Sequence, residues 1–406
     1  MHTPDPKLLF IAAALSSVCS LTNVRAQVVF TALGPGTVLA TDVSDDGATV
    51  VGWSGNGIFR WTKTNGVTSL NPVDGYTADG AAFVSSDGSV ISGNVYKNSD
   101  PMTRSAFRWT QFDGGVLLGS LTTGTASSAS GLSGDGATVV GGASRADGTH
   151  EAFRWTQAEG MIGLGTSTSS GSNSGAHAIS ENGLGITGAT IFADGSQQAF
   201  LWTQANGAAS LGKFDGKLST SGWGINSDAS IVIGGYYDQY AHSPWKPFRW
   251  TASEGMISLN PSSEFIDATP FGVSDDGAVI IGGVTQGGFI WTPDSGMRDL
   301  LDVLNNDYGI SDQTRDWDFL QPHAISPDGR YIVGIGSNGG WLLDRGVNPP
   351  PISVALAPVP EPSMFGLAGA VVLTSAILRR RFCATPKTSR HDSSTITTNR
   401  AFNPGV

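Results

Sequence analysis

Leu132-Ser133-Gly134-Asp135-Gly136-Ala137-Thr138-Val139-Val140-Gly141, followed by Ala152-Phe153-Arg154-Trp155-Thr156, is the stretch from which the fold can be read. Asp-Gly between two apolar runs supplies the positive φ that a tight hairpin demands, and the preceding Ser can bond the turn backbone. In Phe-Arg-Trp-Thr the two rings lie two residues apart and share one face of a strand, with Arg on the other. Such rings suit the space between neighbouring sheets.

The same unit recurs along the chain. Its first half returns as Val43-Ser44-Asp45-Asp46-Gly47, Val84-Ser85-Ser86-Asp87-Gly88, Ile179-Ser180-Glu181-Asn182-Gly183, Ile225-Asn226-Ser227-Asp228-Ala229, Val273-Ser274-Asp275-Asp276-Gly277 and Ile325-Ser326-Pro327-Asp328-Gly329, giving seven copies. The second half returns at Phe59, Phe107, Phe200, Phe248 and Phe289, with Gly340-Trp341-Leu342 as a degenerate seventh. The spacing between the turn glycines, Ala229 standing in once, is 41, 48, 47, 46, 48 and 52 residues. That period suits four short strands per unit, so an all-β, seven-bladed β-propeller is expected over residues 27–345.

In this frame the aliphatic-Ser strand is innermost and the strand after Phe-Arg-Trp-Thr is outermost. The seventh unit lacks its outermost strand, and Val28-Val29-Phe30-Thr31-Ala32-Leu33-Gly34 matches it. The N-terminal strand is therefore predicted to complete the last blade and close the ring, which removes exposed sheet edges.

Composition agrees with this reading. Gly is abundant at 55 residues and charged residues make up only 14%, as many short strands and turns require. Eight of the 23 basic residues but only Asp5, Glu361 and Asp392 of the 34 acidic ones lie in the flanking segments, so the body is more acidic than the whole chain's −11. Such a charge opposes binding to nucleic acid or anionic lipid. The two cysteines, Cys19 and Cys383, fall outside the body, so no disulfide braces it.

Both ends read as export signals. Lys7, the apolar run Leu8 to Leu21 and Val24-Arg25-Ala26 before Gln27 form a signal-peptide pattern over residues 1–26. A lipoprotein reading would use Cys19, but Val18 is large for the position before it. Residues 346–363 are a Pro-rich extended linker. An apolar helix is expected over 364–378, closed by Arg379-Arg380-Arg381, which would hold its C-terminal end on the cytoplasmic side; residues 382–406 read as a disordered tail. At 15 residues the apolar run is short for a bilayer span.

Val359-Pro360-Glu361-Pro362, the apolar run and the arginine cluster, in that order across 358–381, resemble the PEP-CTERM sorting domain, also known as the ice-binding protein C-terminal domain. The resemblance implies export in a Gram-negative bacterium, transient anchoring in the inner membrane, processing by an exosortase-type enzyme with Pro360, Glu361, Pro362 and Arg379 to Arg381 as the sorting motif, and delivery to the cell surface or extracellular matrix. This chain departs from the family in continuing past the arginines to Val406. The repeat itself, through Ala106-Phe107-Arg108-Trp109-Thr110, Ala152 to Thr156 and Ala199-Phe200-Leu201-Trp202-Thr203, resembles the HAF family of extracellular repeats, although Ser105, Glu151 and Gln198 stand where that family has His. That likeness implies location and architecture but no chemistry.

Binding is expected on the face with variable loops. The most unusual loop carries Tyr236, Tyr237, Tyr240, His242 and Trp245, either a platform for a sugar ring or rings packed over the fifth blade. Two positions before each inner-strand aliphatic lie Thr41, Ala82, Ser130, His177, Trp223, Phe271 and His323, expected to rim the central channel. The two histidines admit a metal or acid–base reading, or simple packing. The insertion Asp299 to Gln321 offers a short helix at Leu300 to Leu304 and carries Asp302, Asp307, Asp312, Asp316 and Asp318 without a calcium-loop spacing. Repeated arginines at 60, 108, 154 and 249 are expected to pair with nearby carboxylates or carbonyls. No nucleophile elbow, phosphate loop or metal-binding His-Glu motif is present, so no cofactor and no catalysis are expected. The leading expectation is a non-catalytic cell-surface or matrix protein that binds or organises exopolysaccharide or another envelope component; a polysaccharide hydrolase or lyase and a purely structural matrix component are the alternatives.

Overall fold

The computed structural model describes residues 27–354 apart from 35–38, 56, 122–123, 167–172, 215–218, 238–244, 260–264 and 266. The leader 1–26, the sorting motif with its apolar run, the tail, and the loop residues Tyr240 and His242 lie outside the described residues. No helix among the described residues is long and apolar enough to cross a membrane.

Seven four-stranded antiparallel sheets form the body. Six follow chain order from innermost to outermost strand. The seventh is Leu320–Ile325, Tyr331–Gly336, Gly339–Asp344 and, outermost, Val29–Ala32. Phe30 pairs with Leu343 and Ala32 with Trp341, the closure expected from the sequence. The innermost strand of the seventh blade touches that of the first, as every other blade touches its successor, so the ring is complete.

The repeated motif does the same work in six blades, and in the fifth Asn226 takes the Ser place, its Oδ1 accepting the Ile231 N–H (2.8 Å). Ser44 Oγ donates to Asp46 Oδ1 (2.7 Å) and accepts from the Thr49 N–H (3.0 Å), while Asp46 Oδ1 accepts from the Ala48 N–H (2.9 Å). Gly47 then turns the chain at φ +67°. The Ser-to-carboxylate or Ser-to-amide bond recurs at Ser85, Ser133, Ser180, Ser274 and Ser326. Ala229 holds the same left-handed turn at φ +66° despite its Cβ. Elsewhere this glycine packs against a side chain of the preceding blade, as Gly88 does on Thr49 and Gly136 on Val90; beneath Ala229 that residue is Gly185, whose missing side chain leaves room for the extra methyl. The exchange is a matched pair.

Phe59, Phe107, Phe153, Phe200, Phe248 and Phe289 are fully buried, and Trp341 takes the seventh place. Opposite each ring the second strand carries glycine: Gly52, Gly93, Gly141, Gly188, Gly234, Gly282 and Gly334. Six inner strands bulge by one residue beside these glycines. The bulge drives a carbonyl into the space a side chain would need, so a Cβ at Gly141 would stand 1.9 Å from the Ser128 oxygen.

Three of the four repeated arginines find the carboxylate or carbonyl expected, and Arg60 finds a hydroxyl instead. Arg154 meets Glu159, Arg249 meets Glu254 (2.8 Å), Arg108 Nε donates to the Gly136 carbonyl of the next blade (2.8 Å), and Arg60 donates to Thr49 Oγ1 (3.2 Å). The insertion forms short helical turns at Leu300–Asp302, Val303–Asp307 and Ser311–Thr314. Leu300, Val303, Leu304, Tyr308, Ile310 and Trp317 cover the last blade, in one core with Phe30 and Trp341. Asp302 and Asp307 both face Arg298, and no acidic cluster among the described residues can hold a metal ion.

Candidate functional site in the central channel

The residues expected at the channel rim are, with one exception, the bulged ones. Thr41, Ser130, His177, Trp223, Phe271 and His323 are each the extra residue of an inner strand. A bulge bends the strand and re-aims its side chain; these six face one cavity of about 190 Å³. The exception is Ala82. In the second blade two residues, Gly80 and Ala81, are looped out, so Ala82 is fully buried and Phe83 lines the cavity in its place.

Two acids join this lining that sequence reading passed over. Asp42 follows the bulge at Thr41, and its two carboxylate oxygens accept the N–H of Val43 (2.9 Å) and of Val84 in the next blade (2.8 Å). Burial outweighs these bonds and pushes its carboxyl up to about 7. Glu181 occupies the variable position of the fourth Ser-x-Asp-Gly turn and accepts from Ser86 Oγ (2.6 Å). Burial raises its pKa too, with Asp45 and Asp275, at the same position of other blades, adding repulsion.

The turns holding these acids are stitched across blades. Asp45 N–H donates to the Ser86 carbonyl, Ser86 N–H to Gly134, Gly134 N–H to Glu181 and Asp275 N–H to Pro327, at 2.8 to 3.1 Å. Pro327 has no N–H to pass on to the first blade.

His177 Nδ1 lies 2.8 Å from the Gly222 carbonyl. A carbonyl only accepts, so Nδ1 carries the proton and Nε2 is left as an acceptor. Burial lowers its pKa. His323 stacks on Phe271, ring centroids 5.3 Å apart, and burial pushes it down to about 4. Its Nε2 is buried and has no hydrogen-bond partner among the described residues. Around neutral pH both imidazoles are uncharged.

Opposed titrations follow. A carboxyl with a raised folded-state pKa lends stability that is complete below its unfolded value near 3.8 and is lost as pH rises through about 7. The depressed imidazoles act the other way, losing stability as pH falls below about 6.5. Wild type then shows a dome, and the Asp42 contribution emerges in comparison with Asp42→Asn. Between pH 5 and 8 the wild type should lose on the order of 2–3 kcal/mol relative to the variant, at 1.36 kcal/mol per pKa unit. Urea unfolding of both proteins at the two pH values measures it; parallel pH dependence would disprove the assignment.

The aromatic loop divides. Tyr236 is buried at 6% exposure, stacked on Phe214 (4.1 Å), with its hydroxyl 3.1 Å from Ser258 Oγ. It packs the blade, and a ligand-contact role does not fit. Tyr237 and Trp245 instead pack in series beside Trp223 of the channel wall: Trp245 meets Tyr237 edge-on at 4.6 Å and Trp223 at 4.9 Å. Gly235 makes this possible, because a Cβ there would strike both indoles. Three half-buried rings thus run from the channel wall to the strand end at Tyr237.

No protein-family model matches the chain, and no curated protein matches it. Solved structures do. Oligogalacturonate lyase from Vibrio parahaemolyticus is 9% identical, with a TM-score of 0.51 over 79% of this chain and 97% of that one. Hydrazine synthase of Kuenenia stuttgartiensis gives 15% and 0.47 over 81% and 99%. TolB from Acinetobacter baumannii gives 13% and 0.43 over 64% of this chain, which spans only 62% of that chain. At 9% identity the likeness to the lyase bears on the fold alone and on nothing of the chemistry.

Proposed function

We propose that the chain is an exported, non-catalytic surface propeller that binds polysaccharide through the aromatic run Trp223, Trp245 and Tyr237. The observation that carries this reading is the ring geometry. Trp245 stands edge-on to both neighbours, and flat apolar faces beside polar strand ends are the surfaces on which pyranose rings settle. Export, exosortase processing and a surface or matrix destination rest on the sequence of the two ends.

A panel of neutral and acidic polysaccharides in affinity electrophoresis tests it. Wild type should be retarded by at least one of them, with Trp245→Ala weakening that binding about tenfold or more while unfolding within about 1 kcal/mol of wild type. Unretarded wild-type protein would end the proposal.

A propeller enzyme acting on polysaccharide is the second reading, favoured by Asp42 and Glu181 bounding one cavity. Against it, both oxygens of Asp42 already accept backbone N–H groups. New reducing ends or unsaturated products in the same incubations would favour it over simple binding.

A further inference from the structure

We propose that the central channel is a binding site for a small organic cation carrying a primary ammonium group. The inference is independent of the polysaccharide reading.

The lining is selective in composition. It contains Asp42 and Glu181, the aromatic side chains of Phe83, Trp223 and Phe271, two histidines, and neither Lys nor Arg. An anion would find no positive partner there. An ammonium ion finds carboxylates, aromatic faces that attract cations, and the acceptor Nε2 of His177. Asp45 and Asp275, whose charges bear on Glu181, extend the negative potential across the turns, where Asp275 lies one stitched bond from Pro327.

Size sets the class of ligand. A cavity of about 190 Å³ is smaller than the roughly 300–1,000 Å³ that larger organic ligands fill, so a single small molecule fits and a chain does not.

Binding should also draw a proton off the channel. The cation favours the ionised form of Asp42, which Glu181 and Asp45 disfavour in the empty site, while His177 and His323 stay neutral above pH 6.5. Affinity should therefore rise as pH is raised from 6 to 8.

Isothermal titration of the full chain with ethanolamine, ethylene glycol and acetate tests the proposal, with the change in tryptophan fluorescence that is lost in Trp223→Phe as a second readout. Ethanolamine should bind at least tenfold tighter than ethylene glycol, acetate should not bind, and affinity should fall about tenfold in Asp42→Asn. Ser130→Phe, which fills the cavity without removing a charge, should abolish binding and covers the case in which Asp42→Asn folds poorly. Equal affinity for the diol, binding that survives Ser130→Phe, or binding of calcium in place of the amine would each overturn it.

Discussion

Replacing Gly141 with alanine should cost at least about 3 kcal/mol, far more than a typical single substitution, while Gly93→Ala should stay within about 1 kcal/mol of wild type. The two glycines hold equivalent places opposite Phe153 and Phe107. At Gly141 the new Cβ meets the Ser128 carbonyl oxygen at 1.9 Å and its carbon at 2.9 Å. Those are main-chain atoms of a paired inner strand, so relief requires the bulge at Ser130 to be undone and the strand to shift. At Gly93 the two-residue loop at Gly80 and Ala81 draws the backbone back, and the nearest carbonyl is 3.1 Å away. A few tenths of an ångström suffice there, and the stiffening that alanine brings to a strand offsets much of the strain. Chemical denaturation of the two variants measures the difference. Similar losses would show that glycine serves strand entropy at both places and not clearance of the bulged carbonyl.

That contrast also marks how far the sequence could be read. The Ser-x-Asp-Gly turns were legible because each depends on residues bonded within five positions, and the buried Phe series because it recurs once per repeat. The closing strand was legible too, since a unit short of one strand and a matching orphan strand point at each other. Rim positions were found by counting back from the aliphatic residue, which works only where the bulge holds one residue. It failed at Ala82 because the second blade loops out two. Asp42 was hidden for another reason: its burial comes from the Val84 N–H of the next blade, a partner 42 positions away that no local pattern reveals. Glu181 had a signal that went unused. Aligning the seven variable turn positions, Asp45, Ser86, Gly134, Glu181, Ser227, Asp275 and Pro327, gathers three acids on one ring. Tyr236 and Tyr237 are neighbours in sequence on opposite faces of a strand, so one packs against Phe214 while the other meets Trp245.

Phe30→Ala should destabilise the protein by about 3–5 kcal/mol, the usual cost of emptying a buried phenylalanine site, although Phe30 lies almost at the N-terminal end of the body. Its ring is 9% exposed, stacked on Trp341 at 5.8 Å and edge-on to Trp317 at 5.2 Å. Its N–H donates to Gln313 Oε1 (2.8 Å), so the closing strand also anchors the helical insertion. Trp341 occupies the seventh Phe place, and without the strand Val29–Ala32 its own strand, Gly339–Asp344, becomes a bare edge of the kind that recruits other chains. Losing the ring of Phe30 should therefore lower the melting temperature and promote aggregation together. Val29, 42% exposed on the same strand, supplies the control: Val29→Ala leaves the pairing with Asp344 intact and should change stability by less than about 0.5 kcal/mol. Thermal melts followed by tryptophan fluorescence and light scattering separate the cases. If Phe30→Ala melts like Val29→Ala and stays monomeric, the first and last blades hold together through their inner strands alone, and closure by the N-terminal strand is a consequence of the ring and not its cause.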